Sequence, residues 1–126
     1  MKYLCIGYFS PGLYASHSEA ELDEANNKAD AQRKQLQSTG KLVLDVGLER
    51  DSYKICREGG ELQSREIFIT ADKMIGSVMI IDAETLDEAM AIAHQHPAAQ
   101  VPEGEYLGWE LEVRPINQFE MKVLDH

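Results

Sequence analysis

Residues Ile75 to Pro97, IGSVMIIDAETLDEAMAIAHQHP, decide how this chain folds. Ser77 to Asp82 is apolar at consecutive positions. As a strand it points Val78 and Ile80 to one face and Met79 and Ile81 to the other. A strand apolar on both faces has to be covered on both. Thr85 then opens a helix, and Glu88, three residues on, completes a capping-box pattern that satisfies orphan N–H groups. Leu86, Ala89, Met90 and Ala93 follow helical spacing and give one apolar stripe. Pro97 lacks an N–H and disfavours helical geometry at His96, so the helix stops there.

Working outward, Tyr3 to Phe9 reads as a first strand, also apolar on both faces, in which Gly7 allows close approach of another group. Ser16 and Ser18 each have a glutamate three residues later, and either can cap a helix running from Glu19 to about Ser38 and ending at Gly40. Its inward stripe, Leu22, Ala25, Ala29, Gln32 or Arg33, and Leu36, is thin and small. Such a helix either lies close on a sheet or roofs a cavity. Lys41 to Leu48 alternates, with Leu42, Leu44, Val46 and Leu48 read as inward. Tyr53–Arg57 and Leu62–Thr70 form a hairpin about Gly59-Gly60. Ala98 to Tyr106 reads as a loop, and Leu107 to Ile116 as a last alternating strand.

The resulting order is β-α-β-β-β-α-β: a single α+β domain over residues 1–126 with a ferredoxin-like antiparallel sheet and an added hairpin strand. Two helices cover one face of such a sheet. The second apolar face calls for a partner, and a second copy of the same sheet is the simplest one, so a homodimer is expected.

Composition bounds the function. The 126 residues include 44% hydrophobic and 27% charged positions, with a net charge of −10. Phosphate backbones and anionic membranes are repelled by that balance, so neither nucleic acid nor membrane is an expected partner. The N-terminal apolar run is too short for a signal peptide, no stretch approaches spanning length, and Cys5 and Cys56 read as reduced core thiols; a cytoplasmic protein is expected. Gly59-Gly60 does not precede a helix, so it is no phosphate loop, and no nucleophile elbow or dinucleotide fingerprint occurs.

The segment GSVMIIDAETLDEAMAIAHQHPAA, followed by EVRPI, resembles the YCII-related family with its DGPF branch, and MKYLCIGY fits that family's first strand. The resemblance implies a dimeric α+β barrel, two ferredoxin-like subunits packed sheet to sheet. Two departures stand out. Where the DGPF branch carries its signature, this chain reads Arg65-Glu66-Ile67-Phe68, and the first long helix, around ADAQRKQL, lacks the histidine that another branch carries.

Among candidate groups, His96 near a helix end is a general base by type or a structural bond to the adjacent turn, and His94 lies on the opposite rim of the stripe. Asp45 and Arg114 occupy the less apolar faces of their strands: binding groups if those faces line a cavity, an ordinary polar surface if they do not. Tyr8, Phe68 and Trp109 are aromatic pocket liners or plain core, and Glu66 is a possible carboxylate at the altered signature. No metal site is expected from the histidine spacing, and no cofactor is implied. Three functions follow: a dimer that binds a small metabolite between sheet and helices; a cofactor-independent lyase, isomerase or dehalogenase acting on a small aromatic or lactone-like compound, by analogy with related barrels; or an interaction module, which the DGPF branch links to transcription.

Overall fold

The structure, a computed structural model, describes residues 1–67 and 72–122. Among the described residues six strands and five helices follow in order: β1 (Lys2–Phe9), α1 (Pro11–Tyr14), α2 (Glu19–Gln37), β2 (Leu42–Gly47), β3 (Ser52–Glu58), β4 (Glu61–Ile67), β5 (Met74–Asp82), α3 (Leu86–Ala93), α4 (Pro97–Gln100), α5 (Gly104–Leu107) and β6 (Glu110–Pro115). Four strands make one antiparallel sheet in the order β2-β5-β1-β6, which is the ferredoxin-like arrangement, and β3-β4 form a separate hairpin. β1 and β5 hold the centre of the sheet, as their two-sided apolar character requires.

The register sorts the faces. Tyr3, Cys5, Met79 and Ile81 point to the helices and are buried together with Leu36, Ala89, Ile92 and Ala93. The opposite face carries Leu4, Ile6 and Tyr8 beside Val78 and Ile80, with Leu44 and Val46 from β2 and Glu112 and Arg114 from β6. Among the described residues no helix covers that face.

Several local readings change. A bulge between Leu42 and Leu44 breaks the alternation of β2. Leu42 therefore packs on the core, whereas Leu44 and Val46 turn to the open face and Asp45 turns toward the helices. In α3 the buried set is Ala89, Ile92 and Ala93, while Leu86 and Met90 are exposed; both sets obey helical spacing, and the observed one lies nearer the C-terminal end of this short helix. Thr85 accepts from Glu88 N, but the Glu88 carboxylate reaches Glu84 N rather than the cap residue itself. The stretch read as a loop after Pro97 contains α4 and α5, and Leu107 ends α5 as a core residue instead of starting the last strand. Gly108 makes that exit at φ 74°, a left-handed turn that favours glycine.

α2 starts where the sequence allowed: Ser18 caps it in a full capping box with Glu21. Ala25 and Leu36 are its buried residues, and Leu22, Ala29 and Gln32 are half-buried on the same stripe. The hairpin turns through Gly59 and Gly60, both at positive φ, the geometry of a two-residue turn matched to strand twist. Among the described residues no helix is long and apolar enough to cross a membrane.

Candidate functional site

The small side chains of α2 leave the space between the helix and the sheet unfilled. Between them lies a cavity of about 350 Å³, with Asn26, Ala29 and Arg33 of α2 above and Gly7, Asp45, Ser77 and Met79 of the sheet below. His96 and Pro97 close one side, and Phe9, Tyr14, Arg50 and Trp109 close another. The volume falls in the range of small-ligand pockets.

His96 sits at the residue before α4, where serine or aspartate usually caps. Its Nδ1 accepts from Ala98 N at 2.9 Å. A backbone N–H only donates, so Nδ1 carries the lone pair, and the neutral ring carries its proton on Nε2. Nε2 has no protein partner among the described residues and is not sealed off, so the ring offers an N–H donor on the cavity side. Burial pushes the imidazole pKa down to about 4, against the opposing pull of the Asp45 carboxylate and with a smaller push from Arg33. The ring is therefore neutral near pH 7. A general-base role through Nε2 conflicts with this tautomer; a hydrogen-bond donor role fits it.

Asp45 faces the cavity because of the β2 bulge, and one of its oxygens accepts from Gln37 Nε2 at 3.2 Å. Arg33 also lines the cavity and pairs with Asp30 on its own helix. At the far end Arg50 lies 5.4 Å from the Phe9 ring centre and 5.3 Å from that of Tyr14. Trp109 Nε1 donates to the Tyr14 hydroxyl, and burial raises the Tyr14 pKa.

The residues singled out from sequence divide accordingly. His96, Asp45 and Trp109 meet at the cavity. Tyr8 borders it, but its hydroxyl donates to Glu112 at 3.1 Å on the other side of the sheet. Arg114 pairs in register with Leu4 and shares that open face, so it lies across the sheet from Asp45. Glu66 stands exposed on the hairpin, opposite Tyr53, and does not line the cavity. Phe68 lies outside the described residues. His94 is exposed at the end of α3. Among the described residues no group of three or more His, Cys, Asp or Glu is placed to hold a metal. Cys5 is buried, with its thiol pushed up to about 11 by burial, which makes it unreactive. Sequence reading passed over Ser77, Arg50 and Tyr14 as site residues; only the fold brings the middle of β5, an inter-strand loop and a short helix to one place.

The class is thus a ferredoxin-like α+β domain with a helix-roofed cavity lined by one half-buried, neutral histidine and a carboxylate. The YCII-related domain family matches residues 1–117, and the chain belongs to that family. No match was found among curated proteins. Among solved structures, the chain is similar to 5-chloro-2-hydroxyhydroquinone dehydrochlorinase from Burkholderia phenoliruptrix, determined in complex with 2,5-dihydroxybenzoquinone. That similarity has 19% identity and a TM-score of 0.48, over 94% of this chain and 96% of the other.

Proposed function

We propose that this YCII-related protein binds a small metabolite in the cavity under α2 and works as a homodimer joined through the open sheet face. The observation that carries the reading is the cavity itself: α2 has little more than alanines and Leu36 to set against the sheet, and the space this leaves is lined by His96, Asp45 and Arg33. The space opens to solvent on one side and is lined by charged, polar and aromatic side chains together, the make-up of a small-ligand pocket. Dimerisation is supported by the apolar centre of the open face, Leu4, Ile6, Val78 and Ile80, which a second copy would cover with the same residues.

A second reading, cofactor-independent enzyme of the lyase, isomerase or dehalogenase type, has its own support. A neutral imidazole N–H beside a carboxylate is a donor–acceptor pair, and proton transfer at a substrate needs such a pair. The interaction-module alternative needs no cavity, and none of the cavity's lining supports it.

Native mass spectrometry of freshly purified protein tests the proposal. The expected result is a dimer mass carrying a reproducible small adduct that leaves on mild activation and is absent from an Ala29→Trp variant, in which the indole fills the cavity. A monomer mass refutes the dimer. An adduct retained by Ala29→Trp refutes the site.

A further inference from the structure

One contact in the cavity wall restricts what the ligand is. Gly7 faces the helices between Cys5 and Phe9 and pairs with Ser77 across β1 and β5. A Cβ built on Gly7 would lie 2.3 Å from Ser77 Oγ and 3.8 Å from His96 Cε1. Ser77 Oγ and the Cε1 edge of the His96 ring thus both border the space beside Gly7, and the missing side chain leaves room there. Ser77 Oγ has no hydrogen-bond partner among the described residues and is not sealed away from the cavity it lines. His96 Nε2–H is in the same condition, because Nδ1 is used on Ala98.

Two unused donors, one O–H and one N–H, line one end of a cavity that also holds Arg33. We propose that Ser77 and His96 form a two-donor niche for a ligand oxygen that carries negative charge, the ionised oxygen of a phenol or an enol. The inference rests on the cavity being a ligand site, as argued above, and adds the chemistry of the ligand. A niche built on one glycine receives one oxygen. Asp45, on the flank, accepts from a neighbouring hydroxyl of the ligand. The Phe9, Tyr14 and Trp109 end offers flat apolar surface to the rest of a planar molecule.

p-Nitrophenol is a direct probe, because its ionised form is yellow and its ionisation falls near neutral pH. Its methyl ether, p-nitroanisole, has the same ring and no ionisable oxygen. Bound to the wild-type dimer at a pH just below its own ionisation, p-nitrophenol is expected to turn yellow. Ser77→Ala is expected to weaken binding of the ionised form about tenfold or more, the effect of losing one hydrogen bond to a charged oxygen. p-Nitroanisole binding should be the same in wild type and Ser77→Ala, which also shows that the variant is folded. If both probes bind the wild type without a colour change, and Ser77→Ala binds p-nitrophenol equally well, the niche is wrong while the cavity stands. If neither probe binds wild type, the cavity reading falls and the niche with it.

Discussion

Lowering the pH should unfold this protein partly through one residue, and the size of the effect follows from how His96 is held. In the unfolded chain the imidazole has a pKa of 6.5; in the fold, burial lowers it to about 4. Because the folded value is the lower one, the unfolded state binds more protons between the two. Stability is therefore intact above about pH 6.5 and falls as the pH drops toward 4. The full span corresponds to at most about 3 kcal/mol, and roughly 2 kcal/mol of it is gone by about pH 5. The carboxylates titrate in the lower part of this window, so the comparison must be a difference. His96→Gln retains an amide oxygen to accept from Ala98 N and removes the titration. Urea unfolding of both proteins at about pH 7, 6 and 5 gives the measurement. The stability of wild type relative to His96→Gln should decline by roughly 2 kcal/mol across the series. Parallel profiles would refute the account of a half-buried, neutral histidine.

Other consequences are as specific. Gly7→Ala should destabilise by about 1–3 kcal/mol through the clash with Ser77 Oγ, and Ser77→Ala in the same chain should restore most of it, because the Ser77 Cβ stands an ordinary 3.6 Å from the new methyl; chemical denaturation of the four proteins in the cycle checks this, and independent additive losses would contradict it. Ile80→Glu places a charge at the centre of the open sheet face, and sedimentation should show a dimer for the wild type and a monomer for the variant. Ser18→Ala removes the cap of α2 and should cost about 1 kcal/mol in the same unfolding assay, with Ser16→Ala neutral because Ser18, not Ser16, closes the box with Glu21.

The parts of the fold legible in sequence were those with strong local patterns. Apolar runs marked β1 and β5 as strands, Ser16 or Ser18 and Thr85 marked helix starts, and Gly59-Gly60 marked the hairpin turn. The thin stripe on α2 left two options, and the structure takes the cavity. What local pattern cannot carry is parity after an irregularity. The bulge at Val43 leaves the alternation of side chains intact in the sequence but reverses its meaning, so Leu44 and Val46 leave the core and Asp45 enters the cavity. The same limit applies to the site. Asp45 and Arg114 read alike as polar residues in strands, and only strand register puts them on opposite faces. Ser77 reads as the polar start of a strand. Its importance depends on Gly7, seventy residues earlier, which the sequence marked as a place of close approach without naming what approaches.

The central claim is that the space between α2 and the sheet is a ligand site. Backbone amide NMR of the isotopically labelled protein, titrated with p-nitrophenol, tests it most directly. The account predicts saturable shifts confined to Gly7, Ala29, Asp45, Ser77 and Ala98, the amides bordering the cavity, with Tyr53 and Ile55 of the exposed hairpin unmoved. Shifts concentrated on the hairpin or the open sheet face, with the cavity amides silent, would contradict it.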